Sequence, residues 1–336
     1  MNRRRRALVF ILATVASLIA TQALAATETP FIQLPGWQTQ PTGGSSGYIV
    51  IASDDQKPGH FDTLATSGGP VFKVNKPKTE SFSGGVAGGN LLFQETRGNS
   101  SDLFFYDLPT RNRSNPPAGM NTKFWEWGPT ISDNWALFAR NNFNTSAKKK
   151  WQKIILFDLG SGASRLLAKT GRTPYLAAGQ VNGNYAVWER CTNTCDIFVH
   201  DIGVSMTSMV PNPTGLQYSP SLAPNGTIFF ARRNNGTNCG QGTTLVRRTS
   251  GGVETVFHAF PNQRDVYDSF AVTSPLIQTD LFYSRYNCKK DNTDIYYISG
   301  AETAAPAAVA TRQGRPAENP SGAWVRPIPP GSTPGA

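Results

Sequence analysis

The stretch DIFVHDIG (196–203) recurs with the same build as DLFFYDLP (102–109) and KIILFDLG (153–160). Each copy is a short apolar run with a polar residue at one or both ends, followed by turn residues, which is the signature of a β-strand leaving a hairpin. A second set of runs precedes them: YIVIAS (48–53), NLLFQE (90–95), WALFAR (135–140), YAVWER (185–190), TIFFAR (227–232) and DLFYSR (280–285). Their starts lie 42 to 53 residues apart, a period that belongs to propeller blades or solenoid units. The first set continues in a weak DTLATS (62–67), in TTLVRRT (243–249) and in DIYYIS (294–299).

Shorter segments holding a Gly or Pro and a turn come before most units: GGVAGGN, GPTISDN, GQVNGN, SPSLAPNG and SPLIQTD. A last strand such as SRLLAKT or VETVFHAF often follows. One unit is therefore a four-stranded antiparallel meander. Its middle strands are apolar on both faces, so a single sheet could not bury them alone; stacking the units radially covers both faces and leaves only short edges. The expected fold is all-β, a six-bladed β-propeller of four-stranded blades. A seven-bladed alternative would draw on ETPFIQLPGWQTQ (28–40) and the C-terminal stretch. Ring closure calls for one terminus to add a strand to the blade at the other end; PFIQL (30–34) is the expected donor, pairing near AAVATR (307–312).

SPSLAPNGTIFFAR resembles the blade signature of TolB-like (PD40, WD40-like) propellers: Ser219-Pro220 and the turn Asn225-Gly226 stand before an apolar strand. The downstream D-I-[FY]-[VY] strand, at Asp196 and Asp294, completes it. The resemblance covers roughly residues 40 to 310 and is sharp in two or three units. The Gly-His and Trp-Asp pairs of true WD40 repeats are absent. The chain has no room for the α/β domain that precedes the propeller in TolB, so TolB's own partner interactions do not carry over.

The ends suggest export. Arg3, Arg4, Arg5 and Arg6 precede the apolar ALVFILATVASLIA, and Ala23-Leu24-Ala25 offers an A-x-A cleavage site, which together read as a signal peptide over 1–25. The apolar run falls short of the roughly 20 residues of a membrane span, so no stable span is expected after cleavage. The propeller is expected over 26–313, and a Pro/Gly/Ser-rich, disordered tail over 314–336. The expected location is secreted or periplasmic, in the cell envelope.

Of 32 Lys+Arg, four lie in the signal segment and 22 Asp+Glu lie outside it, so the mature chain carries 28 − 22, or +6. That modest, dispersed excess fits attraction to acidic polymers and argues against nucleic-acid binding, which clusters its cations. All four cysteines fall in the second half, and in an exported chain an even number reads as disulfides. Cys191 and Cys195 flank one hairpin, while Cys239 and Cys288 hold the same hairpin position in consecutive blades. The chain-entropy model assigns roughly 2 kcal/mol to the short loop and roughly 4 to the long one.

Signs of catalysis are sparse. His60, His200 and His258 are the only histidines, too few for the histidine clusters of metal-bound propellers. GGSSG (43–47) matches a nucleophile elbow in letters, but it leads into a strand rather than from a strand to a helix, so Ser45 reads as a chance match. No cofactor and no metal are expected. FWEWG (124–128) could stack on sugars, although Trp125 and Trp127 read first as core.

One constellation recurs. The second strands align Arg140, Arg190, Arg232 and Arg285 at one height near the hairpins, and guanidinium groups recognise carboxylates and phosphates. The functional reading is an anion-binding ring; the structural one ties each arginine to a carboxylate of a neighbouring strand, such as Asp196 or Asp294. The longest hairpin, NNFNTSAKKKWQ (141–152), adds Lys148, Lys149, Lys150 and Trp151. The expected function is a monomeric binding module that presents this basic, loop-rich face to a protein or an acidic polysaccharide, without catalysis. The alternative is a polysaccharide lyase or glycoside hydrolase with its site at the mouth of the central channel.

Overall fold

A computed structural model of the chain describes residues 26–44, 46–54, 60–212, 216–233, 243–260, 264–273, 279–287 and 290–304. Among them it contains strands and no helix, hence no helix long and apolar enough to cross a membrane. Six four-stranded antiparallel sheets form a ring. Blade 1 comprises β2 (Gln38–Gly43), β3 (Ile49–Ser53), β4 (Asp62–Thr66) and β5 (Phe72–Lys73). Blade 2 comprises β6 (Glu80–Ala87), β7 (Asn90–Arg97), β8 (Ser100–Asp107) and β9 (Asn112–Ser114). Blade 3 comprises β10 (Trp125–Ser132), β11 (Trp135–Asn141), β12 (Gln152–Asp158) and β13 (Ser164–Thr170). Blade 4 comprises β14 (Tyr175–Asn182), β15 (Tyr185–Cys191), β16 (Cys195–Asp201) and β17 (Met206–Met209). Blade 5 comprises β18 (Leu216–Leu222), β19 (Ile228–Arg233), β20 (Thr243–Arg248) and β21 (Glu254–Phe260). Blade 6 joins β22 (Arg264–Thr273), β23 (Thr279–Asn287) and β24 (Asn292–Ile298) to the N-terminal β1 (Glu28–Ile32).

The two apolar faces of each middle strand explain the ring. Leu91 packs into blade 1 and its neighbour Leu92 into blade 3; likewise Phe229 faces blade 6 and Phe230 faces blade 4. Successive strand residues point to opposite faces, so such pairs need cover on both sides. The buried apolar side chains fall into six clusters, each shared by two consecutive blades, including one between blades 6 and 1 built from Phe270, Phe282, Ile295, Ile49 and Ile51. The innermost strands touch in the order β2, β6, β10, β14, β18, β22 and back to β2, which closes the circle.

Every innermost strand carries a register shift against its partner, between Thr39 and Thr42, Phe82 and Gly85, Trp127 and Thr130, Ala178 and Val181, Tyr218 and Ser221, and Val266 and Ser269. Bulges sharpen the local twist and interrupt the ladder, so a proline missing its N–H is tolerated there. Pro41, Pro129 and Pro220 occupy these bulges behind Gln40, Gly128 and Ser219, whose φ values are 49°, 57° and 52°. The Ser219-Pro220 pair of the sequence signature is thus a bulge at the propeller axis. Crowding there is severe: a Cβ on Gly85 would come within 2.3 Å of the Ile131 nitrogen. Side chains latch the inner strands together. Gln180 of blade 4 donates to the Ala271 carbonyl of blade 6 (2.9 Å) and accepts from the Leu222 N–H of blade 5 (2.8 Å), while Ser269 donates to the Ser219 carbonyl (2.6 Å).

The N-terminal segment does supply the closing strand, but its partner differs from the expected 307–312, which lies outside the described residues. Glu28, Thr29, Pro30 and Ile32 pair with Ile298, Tyr297, Tyr296 and Ile295 of β24. As the third strand of its blade, β24 has an open edge that β1 covers, and Pro30 is acceptable because β1 is itself an edge. Phe31 packs edge-on against Phe282 at 5.2 Å and near Tyr297 at 6.1 Å. The Glu28 carboxylate pairs with Arg285, accepts from the Tyr283 hydroxyl (2.7 Å) and lies 3.7 Å from His258 Nε2 of blade 5. With 28–32 closing blade 6 and 38–43 opening blade 1, the N-terminal part of the suggested seventh blade is used within the six; the C-terminal stretch beyond 304 lies outside the described residues.

Removing Glu28 leaves Arg285, 5% exposed, without its carboxylate. Stripping one partner from a buried pair costs roughly 3–5 kcal/mol. Thermal denaturation of Glu28→Ala should therefore show a much larger loss than Glu254→Ala, whose carboxylate is 23% exposed; equal losses would refute the closing role of this contact.

Candidate anion-binding face

The starts of the innermost strands, the ends of the second strands and the hairpins to the third strands all lie on one face of the disc. The four aligned arginines stand there. Arg140 donates from Nε to Glu126 Oε1 (2.6 Å) and from Nη2 to the carbonyls of Gly119 and Met120 (2.8 and 2.9 Å). Arg232 pairs with Glu254 (2.9 Å), which also takes Arg248 (3.2 Å). Arg285 pairs with Glu28. Each also sits by an aromatic ring of the core beneath it, Arg140 by Phe138, Arg232 by Phe230, and Arg285 by Tyr296 and Phe260. Blade 2 inverts the pair, with Glu95 on the second strand and Arg113 donating to both its oxygens (2.6 and 3.1 Å). Arg190 differs: it is exposed, it makes no hydrogen bond or ion pair among the described residues, and Asp196, opposite it in the ladder, accepts instead from Asn212 (3.0 Å). The four share a height, but three are held by carboxylates of their own blades, and those partners are Glu126, Glu254 and Glu28 rather than Asp196 or Asp294.

Blade 3 concentrates positive charge. Between residues 134 and 188 the chain holds Arg140, Lys148, Lys149, Lys150, Lys153, Arg165, Lys169 and Arg172 against a single carboxylate, Asp158. Asp158 stands at the far end of β12, accepting from the N–H groups of Gly160 and Ser161 (2.9 and 3.1 Å). The 142–151 hairpin is built on buried Asn142: its side chain donates to the Lys149 carbonyl (3.0 Å) and accepts from the Trp151 N–H (2.8 Å). Lys150 caps the turn by donating to the Thr145 carbonyl (2.6 Å), whereas Lys148 and Lys149 are exposed. Trp151 is half-buried, with Phe124 edge-on at 4.8 Å and the Lys153 ammonium 4.6 Å from its ring centre.

Across the four strands of this blade, Glu126, Arg140, Lys153 and Lys169 are directly opposite one another in turn. Three cations therefore stand side by side, with one carboxylate at the inner end. Like charges directly opposite on adjacent strands destabilise a sheet. Burial, then Lys169, then Arg140 pull the Lys153 ammonium below its usual range. Burial outweighs Thr122 and Arg140 at fully buried Glu126 and pushes its carboxyl up. Lys153 and Lys169 were not singled out from the sequence. The signal was available: aligning the third and fourth strands, as the second strands were aligned, places both in the row of Arg140.

The remaining candidates have structural surroundings. Trp125 and Trp127 are buried; Trp125 donates to the Asn99 carbonyl (2.6 Å) and Trp127 stacks on Tyr175 at 5.4 Å. Cys191 and Cys195 form a disulfide across their hairpin; Cys239, Cys288 and Ser45 lie outside the described residues. His60 faces Asp62 at 3.4 Å, His200 bonds Thr207 (2.9 Å), and His258 faces Glu28, so the three occupy separate blades. Among the described residues no group of three or more potential metal ligands occurs.

Comparison with solved structures agrees with this architecture. A TolB from Acinetobacter baumannii matches with a TM-score of 0.50 at 13% identity, over 78% of this chain and 66% of that one. A protein assigned as a TolB from Agrobacterium tumefaciens matches with a TM-score of 0.51 at 13% identity, over 80% and 91%. The fold is a TolB-like β-propeller. A structure assigned as a gluconolactonase matches with a TM-score of 0.52 at 10% identity, over 82% and 93%. At such identities the likeness concerns the fold alone. No protein-family model matches the sequence, and no curated protein matches it.

Two measurements follow. Arg140→Ala strands the buried Glu126 carboxylate and should cost roughly 3–5 kcal/mol, whereas Arg190→Ala should stay within about 0.5 kcal/mol of wild type, as exposed sites do; similar losses would contradict the separate surroundings described above. Burial lowers the pKa of both His200 and His258. A depressed histidine contributes stability that is complete above its unfolded value, about 6.5, and is lost as pH falls below it. The double variant His200→Gln/His258→Gln should therefore narrow the difference in Tm between pH 7.5 and pH 5, and an unchanged difference would count against it.

Proposed function

We propose that the chain is an exported binding module whose hairpin face, centred on blade 3, engages an acidic polymer without catalysing a reaction on it. The observation that carries this is the side-by-side placement of Arg140, Lys153 and Lys169 beneath the exposed Lys148 and Lys149, with one buried carboxylate among them. A fold that tolerates like charges directly opposite one another gains when an anion lies between them. Export is supported by the signal-like N-terminal sequence and by the Cys191–Cys195 disulfide, which persists in oxidising compartments. Glu95, Glu126, Glu254 and Glu28 are each committed to an ion pair with an arginine, which supports binding over a lyase or hydrolase.

Chromatography on a polyanion resin with a salt gradient tests this. Because exposed charges are screened by salt, Lys148→Ala/Lys149→Ala should elute at distinctly lower salt than wild type with an unchanged Tm. The control Lys76→Ala/Lys78→Ala removes the same charge from exposed lysines between blades 1 and 2 and should shift less. Equal shifts would reduce the effect to net charge and overturn the assignment to blade 3.

A further inference from the structure

The row Arg140, Lys153, Lys169 runs across three adjacent strands from the second to the outermost. Neighbouring strands lie about 4.8 Å apart, so the backbone positions of the three cationic residues are evenly spaced across the sheet. We infer that this row, with Trp151 beside it, is a subsite for a linear polysaccharide that carries one carboxylate on each sugar. This rests on the preceding reading and narrows its ligand.

Three features select that chemistry. The backbone spacing is regular, and the length of one sugar in an extended chain is comparable to one inter-strand step, so carboxylates of a chain lying along the row come within reach of the flexible Lys153 and Lys169 stems. The surface carboxylates of a folded protein have no such repeat. The two outer cations are lysines, point charges on flexible stems that accept carboxylates over a range of orientations, while the inner guanidinium is fixed by Glu126 and two backbone carbonyls. Finally, Trp151 is held in place by its edge contact with Phe124 and is only half-buried, with the Lys153 ammonium over one face of its ring. Its ring offers an apolar surface to the C–H face of a sugar whose carboxylate is taken by Lys153.

The probe is sodium alginate in titrations against the full-length protein, with its propylene-glycol ester as the neutralised analogue and dextran sulfate and poly-dT as other polyanions. Each variant loses a charge-assisted contact, so Lys153→Met and Lys169→Met should each weaken alginate binding about tenfold or more. Lys153→Met should do so with an unchanged or raised Tm, because it removes a like-charge contact; a residue needed only for packing would lower the Tm instead. Trp151→Ala should also weaken alginate binding, and the ester should bind at least tenfold more weakly than alginate. The subsite is overturned if either methionine variant binds alginate like Lys76→Ala/Lys78→Ala, or if ester and alginate bind alike. It is also overturned if dextran sulfate or poly-dT binds while alginate does not, an outcome that leaves the basic face of the preceding section standing. Failure of every polyanion to bind removes both.

Discussion

A β-sheet with two oily faces has no stable existence by itself, and this chain makes six of them. Each blade is soluble only because the next one covers it, as the division of the core into six inter-blade clusters shows. An open arrangement would leave two outer faces, those of blades 1 and 6, bare. Closing the circle removes both at once, and the short β1 strand completes blade 6 across the join. Glu28 reinforces that join through contacts to Tyr283 and Arg285 of blade 6 and an approach to His258 of blade 5.

The position that caps each inter-blade core also sets the electrostatics of the hairpin face. In blades 3 and 5 an arginine lies by the ring two residues before it, Phe138 or Phe230, and in blade 6 Arg285 lies by Tyr296 of the third strand; a carboxylate from the same blade balances each. Blade 2 keeps the balance with the signs exchanged. Blade 3 adds two lysines, Lys153 and Lys169, beyond its balanced pair. Local disagreement between charge pattern and sheet stability is what a binding surface is expected to show.

Much of the fold was legible because strand period and hydrophobic doubling are local properties. The second and third strands of each blade fall where NLLFQE, WALFAR, DIFVHDI and their counterparts place them. The weak DTLATS was still recognisable as β4, since its position in the repeat compensated for its composition. The partner of the closing strand was less legible. Pairing is decided by which edge remains open, and that depends on the whole ring: PFIQL was identified as the donor, while its acceptor was sought after DIYYIS rather than in it. The arginine register was visible in the sequence, but Glu126, Glu254 and Glu28 come from first and outer strands whose alignment only the sheet provides. The cation rank was missed for the same reason. Lys153 and Lys169 are 16 residues apart in the chain and adjacent only through the β12–β13 pairing.

Native-state hydrogen exchange resolved to individual amides tests the closed ring most directly. The account predicts that the amides of β24 facing β1 open with the same free energy as those of β11 in blade 3, because unlatching one blade exposes the apolar faces of its neighbours and unfolds the disc as a unit. Near-unprotected exchange along β24, alongside full protection of β11, would mean that the circle stands without its N-terminal strand, and would contradict the account.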